Sequence, residues 1–250
     1  ESLRDLYKEA ETLASLHHPA VVTFYGVVAG QTHPGTVMEY MCSGSLRKAL
    51  PRLRARGDMR LLTVLALDTA RGMEYLHSKH LIHFDLKSDN LLCDLRDLSR
   101  PVVKVSDLGL AKLKAQSFVS GNMRGTLPWM APELFPSPSA GGSSQGSQYQ
   151  ADKVTEKVDV YSFGVVLYEV WTGGGTPYAD LDVGQIFCGV MNDTLRPKIP
   201  EDCDPVWREL MQACWATHPH DRPTFSYLCQ QLDILLRAIE SRASPTIPRR

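Results

Sequence analysis

The chain has 250 residues, enough for one large domain or two lobes. Its 43% hydrophobic and 22% charged content is that of an ordinary globular protein. The formal net charge of -1 leaves no basic surplus for nucleic acid or an anionic membrane surface. Val21 to Val28 is among the longest nearly apolar stretches and is far too short for a membrane-spanning segment.

The sequence opens on Glu1 with no signal-peptide pattern behind it, so its start reads as cropped. Leu3, Leu6, Tyr7, Ala10, Leu13, Ala14 and Leu16 recur at helical spacing, and His18-Pro19 ends that helix. Two β-rich runs follow, Val21 to Val28 and Thr36 to Met41, with AGQTHPG near their junction; they read as an antiparallel hairpin. After the break CSGS the chain turns mostly helical. Leu62, Leu65, Ala66, Ala70, Met73 and Leu76 make the apolar stripe of a long helix ending near Lys79.

Leu91 to Cys93 and Val102 to Val105 are short strands around the polar loop DLRDLSRP, and no strand signal appears beyond residue 105. PSPSAGGSSQGSQYQ (136–150) holds no core formers and marks a flexible surface insertion, taken as 136–152. VDVYSFGVVLYEVW (158–171) is apolar on nearly every side, the mark of a helix buried at the centre of a lobe. Phe225, Leu228, Leu232, Leu235, Leu236 and Ile239 outline a last amphipathic helix. The six cysteines, at 42, 93, 188, 203, 214 and 229, are scattered with no C-x-x-C pair. They read as reduced thiols of a cytoplasmic protein.

The densest chemistry lies in HFDLKSDN (83–90), held between the apolar pairs Leu81-Ile82 and Leu91-Leu92. A polar surface loop is the plain alternative. Yet Asp85, Lys87 and Asn90 put a carboxylate, an ammonium and an amide on one short loop. Phosphoryl transfer needs a group to orient a hydroxyl, a cation for the transferring phosphate and an oxygen ligand for magnesium. Asp107-Leu108-Gly109 follows a strand, with Asp107 as a second metal ligand, and Ala131-Pro132-Glu133 lies further on. His77, His80 and His83 form H-x-x-H-x-x-H. The first two close a helix and the third opens a loop, so they are read as structural and not as a metal site.

The ordered set HFDLKSDN, DLG, GTLPWMAPE, DVYSFG and DRPTF resembles the protein kinases. It is most similar to the plant Raf-like MAP kinase kinase kinases of the tyrosine-kinase-like group. The resemblance covers nearly the whole chain and implies an α+β, bilobal fold with a helical C-lobe and a remnant of the β-rich N-lobe. The implied division is 1–41 for the partial N-lobe up to the hinge, 42–242 for the C-lobe with an activation segment at 107–133, and 243–250 for a tail.

Residue by residue, the resemblance makes Asp85 the catalytic base and Lys87 the lysine that steadies the γ-phosphate. Asn90 and Asp107 become magnesium ligands, and Glu9 the αC glutamate. Met38 becomes the gatekeeper, with Glu39 to Met41 the hinge that meets adenine through its backbone. His83 would bond within the catalytic loop, Asp159 would hold that loop, and Glu133 would pair with Arg222. Ser117, Ser120 and Thr126 are candidate phosphosites, with hydrogen bonding near Asp85 the alternative for Thr126. Lys87 points to Ser or Thr acceptors.

The implied function is transfer of the γ-phosphate of ATP, with Mg2+, to Ser or Thr of protein substrates such as downstream kinases. Two departures stand beside it. Phe84 replaces the arginine that meets an activation-loop phosphate in many kinases. The glycine-rich loop and β3 lysine would precede Glu9, and they are not in the sequence. The chain as given is therefore expected to transfer phosphate poorly, and a kinase-like binding module or scaffold is the alternative.

Overall fold

The computed structural model describes residues 10–28, 35–113, 125–135 and 154–243. Glu9, Ser117, Ser120 and the expected insertion lie outside them. Helix α1, described over 10–14, buries Ala10 and Leu13. Strands β1 (Phe24–Val28) and β2 (Gly35–Met38) form the expected antiparallel hairpin, with Val27 opposite Thr36 and an irregularity at Gly26.

Both strands are shorter than their β-rich runs. Val21 leaves the hairpin and bridges Val105 in parallel. There Val22 N–H donates to Val105 O and Val105 N–H to Ala20 O, both at 2.9 Å. At this same open end of the hairpin the last rung is Glu39 N–H on Thr23 O at 2.8 Å. Tyr40 then turns out to solvent and Met41 turns inward.

The larger part of the fold is built on two helices. In α3 (Met59–Ser78) the residues Leu62, Leu65, Ala66, Ala70, Met73 and Leu76 are fully buried. Each large apolar side chain so buried contributes about 1.5–3 kcal/mol. Asp58 caps the start, its carboxylate accepting from Leu61 N–H at 3.0 Å. Short helix α2 (Leu46–Arg54) precedes it.

Helix α4 (Lys157–Thr172) is buried on nearly every side, as its composition implies, with Asp159, Ser162 and Glu169 as its buried polar residues. It packs on α2, α3 and α6 (Pro205–Cys214). At Gly164 a Cβ would stand 2.8 Å from Cys214 Cβ, so only glycine lets α4 and α6 approach this closely. Helix α5 (Val183–Met191) starts with a capping box between Asp182 and Gln185. The last helix, α7 (Phe225–Ala243), lies along α3.

Strand β3 (Leu81–Ile82) leads into the loop 83–90, which ends in a 3-10 turn at Ser88–Asn90 and runs into β4 (Leu91–Asp94). Strand β5 (Val102–Val105) pairs with β4, Leu91 opposite Val105 and Cys93 opposite Val103. The sequence pattern shows no strand beyond residue 105, yet β6 (Lys112–Leu113) pairs antiparallel with β3. Two residues are too few to show a period, and the pairing partner is about thirty residues away in sequence, so local patterning is silent there. The result is the expected α+β architecture, mostly helical with few short strands. Among the described residues no helix is long and apolar enough to cross a membrane.

Candidate functional site

Asp159, fully buried on α4, shapes the loop that carries the polar residues. Its Oδ2 accepts His83 N–H at 2.8 Å and its Oδ1 accepts Phe84 N–H at 2.9 Å. His77 Nε2 meets the same carboxylate at 2.8 Å. These bonds hold Phe84 at φ 68°, a left-handed conformation that costs an aromatic residue about 1–3 kcal/mol. The Phe84 ring lies in the apolar core, 4% exposed, where an arginine head would lose its water.

His83 ties the loop to β5. Its Nδ1 accepts Asp85 N–H at 3.2 Å, and its Nε2 faces Ser106 O at 3.0 Å. A carbonyl only accepts and an amide N–H only donates, so the ring carries its proton on Nε2. Ser106 returns the tie, donating from N–H (2.9 Å) and Oγ (2.8 Å) to Asn90 O. The three histidines therefore do different things: His77 meets Asp159, His80 is exposed at the helix end, and His83 bonds within the loop. Among the described residues no group of three or more His, Cys, Asp or Glu is placed to hold a metal.

Asp85, Lys87, Asn90 and Thr126 converge. Lys87 Nζ donates to Asp85 Oδ2 (2.8 Å) and to Thr126 Oγ1 (2.6 Å), and Thr126 Oγ1 donates to Asp85 Oδ1 (2.8 Å). Asn90 Nδ2 donates to Asp85 O (2.8 Å) and Oδ2 (3.0 Å). Burial pushes the Asp85 carboxyl up. The Lys87 ammonium, the Thr126 hydroxyl and the Asn90 amide outweigh burial and hold it below the usual carboxylate range. Gly125, at φ 100°, brings the Thr126 segment against the loop; a Cβ there would stand 2.5 Å from Phe84 O.

With its nitrogen turned to Asp85, Asn90 keeps its Oδ1 free of hydrogen bonds among the described residues. Asp107 follows Ser106, is exposed in a left-handed conformation (φ 57°), and has no hydrogen bond or ion pair among the described residues. An amide oxygen and a carboxylate on neighbouring strand ends are hard donors. They suit a magnesium ion, which takes one or two protein ligands and completes its shell with phosphate and water. Asp107 also lines a recess with Leu13, Val21, Met38, Val105 and Gly109.

At the recess edge Met38 is 40% exposed and Met41 is buried. The Glu39 side chain points elsewhere. Its carboxylate accepts Lys104 Nζ at 2.7 Å on both oxygens, Thr23 Oγ1 at 3.0 Å and Thr23 N–H at 3.2 Å. Burial raises its pKa, but Lys104 and Thr23 prevail and hold it low. Glu39 thus binds the segment after β2 to β5, two residues before Ser106.

Beyond the loop, Arg222 is fully buried and forms a two-pronged ion pair with Glu133, Nη1 to Oε1 at 2.6 Å and Nη2 to Oε2 at 2.9 Å. Its remaining N–H groups reach Ala216 O (2.8 Å), Lys157 O (3.0 Å) and Thr217 O (3.3 Å), so all five donors are used. Sequence reasoning did not single out Ser106, Lys104, Thr23, Ser88, Trp129 or Glu169. Only Glu169 carried a signal, as a lone acid in the apolar run VVLYEVW.

The family profile described as "Protein tyrosine and serine/threonine kinase" matches residues 1–232. The chain is 34% identical over 239 residues to serine/threonine-protein kinase STY17 of Arabidopsis thaliana, covering 96% of the chain and 39% of that protein. It is 34% identical over 250 residues to serine/threonine-protein kinase CTR1 of the same plant, covering 98% and 28%. It is 35% identical over 235 residues to mitogen-activated protein kinase kinase kinase 12 of Rattus norvegicus, covering 94% and 24%. The chain spans well under half the length of these curated relatives.

Proposed function

The chain belongs to the protein tyrosine and serine/threonine kinase family, and from that premise we propose that it transfers the γ-phosphate of ATP to Ser or Thr of protein substrates. The observation that carries the reading is the closed ring Asp85–Lys87–Thr126, with Asn90 and Asp107 beside it. A substrate hydroxyl entering next to Asp85 forms its bond to the γ-phosphorus as the bond to the β-phosphate oxygen breaks and ADP leaves. The hydroxyl proton passes to the Asp85 carboxylate. Phosphoryl transfer has a loose transition state, so little base strength is needed, and a carboxylate held below its usual range serves to orient the hydroxyl. Lys87 supplies the positive charge for the moving phosphoryl group. Asn90 Oδ1 and Asp107 would hold Mg2+, which neutralises phosphate charge when bound.

The recess at Met38 takes the adenine in this reading, with Glu39 to Met41 as the hinge and its backbone as the hydrogen-bonding edge. Glu9 is the αC acid. Ser117 and Ser120 remain candidate phosphosites. The Thr126 hydroxyl, committed to Asp85 and Lys87, supports a role in the site. We place the lobe boundary between Met41 and Cys42, with the activation segment at 107–133. The relative named as a kinase acting on kinase kinases motivates downstream kinases as substrates. The six free cysteines suit a reducing setting such as the cytoplasm.

The test is transfer from γ-labelled ATP to a mixed protein substrate by the full-length protein, followed by acid hydrolysis and separation of phosphoamino acids. Label in phosphoserine and phosphothreonine, dependent on Mg2+, is expected. Label confined to phosphotyrosine, or none, would overturn the reading.

A further inference from the structure

In a chain whose net charge is -1, residues 46–60 hold six basic side chains, Arg47, Lys48, Arg52, Arg54, Arg56 and Arg60. The single acid among them, Asp58, is the cap of α3. Three of the six are spent on partners within the fold. Arg47 Nη1 pairs with Glu169 Oε1 at 3.0 Å, and its Nη2 donates to Thr176 Oγ1 at 2.8 Å. Arg54 Nε donates to Trp171 O at 2.6 Å, and Arg60 Nε pairs with Glu240 Oε1 at 3.0 Å. The other three, Lys48, Arg52 and Arg56, are exposed, and their side chains make no hydrogen bond or ion pair among the described residues.

Lys48 and Arg52 stand four apart on α2, and Arg56 follows four later in the turn that closes it, its N–H on Leu53 O at 3.2 Å. At the helical rise the stripe is about 12 Å long. Helix physics does not ask for it. Like charges four apart repel. Lys48 lies in the first turn, where the positive end of the helix dipole disfavours a cation, and that turn has no acid to offset it. Arg52 lies in the last turn, which suits a cation, so the dipole accounts for Arg52 but not for Lys48 or the spacing. An anion laid along the stripe relieves both costs.

The helix begins beside the candidate site. Its cap, Ser45, bridges Leu92 of β4, and α2 packs on the 3-10 turn Ser88–Asn90. Asp89 of that turn is exposed and makes no ion pair among the described residues, so acids close to an acceptor hydroxyl meet repulsion there. Acids further along the same chain meet the stripe. We propose that Lys48, Arg52 and Arg56 form a docking stripe for an acidic segment of the protein substrate, set apart from the acceptor. In extended chain, about four Asp or Glu residues span its length. The proposal rests on the kinase reading above. A membrane surface fits less well: none of the exposed large hydrophobic side chains lies within 44–60, so nothing beside the stripe can insert into lipid.

The experiment uses the full-length protein and one protein substrate carrying, beyond a flexible Gly-Ser linker, a tail of either four glutamates or four glutamines. Wild type is compared with the triple variant Lys48→Gln, Arg52→Gln, Arg56→Gln and with Arg52→Glu alone. For wild type the glutamate tail should lower the substrate KM by about 5- to 50-fold at low salt, as three exposed ion pairs allow, with kcat within about twofold. The advantage should vanish near about 0.5 M salt and in the triple variant, and shrink in Arg52→Glu. All three proteins should treat the glutamine-tailed substrate alike, which shows that the site itself is intact. A fluorescent glutamate-tail peptide, followed by anisotropy without ATP, should bind wild type and not the triple variant. Equal KM for the two tails in an active wild type, with no binding of the peptide, refutes the stripe alone. Binding to vesicles of phosphatidylserine that the triple variant loses, without any tail preference, overturns it in favour of a membrane. Wild type that transfers phosphate to neither substrate sinks the kinase reading, and with it the claim that the docked segment belongs to a substrate.

Discussion

Thr126 and Asp85, far apart in sequence, share a hydrogen bond of 2.8 Å from the threonine hydroxyl to Asp85 Oδ1. The same hydroxyl accepts from Lys87 at 2.6 Å. The Thr126 segment and the loop 83–90 are thereby one unit. Thr126→Ala is expected to lower kcat by about 10- to 100-fold, the worth of one hydrogen bond to a charged group, with Thr126→Ser restoring most of it. Steady-state kinetics on the two variants checks this; an unchanged kcat in Thr126→Ala would refute it.

Asp159 accepts two buried backbone N–H groups, those of His83 and Phe84. Asp159→Ala leaves both unpaired and strands His77, so the expected loss of stability is about 3 kcal/mol or more. Urea denaturation gives the figure. A loss under about 1 kcal/mol would mean that the loop re-forms its bonds elsewhere.

Gly125 sits at φ 100° against Phe84 O, with no room for a Cβ. Gly125→Ala is expected to destabilise by about 1–3 kcal/mol and to reduce transfer, because the strain falls between Phe84 and Thr126. Thermal unfolding beside kinetics separates the two effects. A gain in stability would show that the segment shifts freely.

Asp85 and Glu39 give a pH dependence with a definite sign. The Asp85 and Glu39 carboxylates are held low in the fold, by Lys87 and Lys104 among others. A depressed acid stabilises the fold above its unfolded pKa, near about 4, and loses that contribution as pH falls through the folded value. Stability should therefore be flat with respect to these two groups from neutral pH to about 5 and decline below. Lys104→Met should cost about 1–2 kcal/mol at pH 7 and make the acid decline shallower. A denaturation series from pH 3 to 7 tests this; parallel curves for wild type and variant would contradict it.

Much of the site was legible because its chemistry is local. Asp85, Lys87 and Asn90 lie within six residues, and a loop that short brings them together by chain geometry alone. Helices α3 and α4 were legible from their apolar periods. The parallel bridge from Val21 to Val105 and the pairing of β3 with β6 were not, since each is a few rungs between distant segments. Glu39 shows a subtler gap. Its place after Met38 follows from the hairpin, but the turn of its side chain toward Lys104 depends on β5 lying behind it. By sequence Phe84 reads as a missing arginine; its buried ring shows that the position belongs to the core.

The most direct measurement of the central claim is phosphate transfer from γ-labelled ATP to a protein substrate by full-length wild type and by Asp85→Asn, at saturating Mg2+. Asparagine keeps the shape and can still accept from Lys87 or Thr126, but it cannot take the hydroxyl proton. The expected result is a loss of kcat of at least about 100-fold, the worth of a positioned general base, with the KM for ATP little changed. Equal turnover by the two proteins would contradict the account.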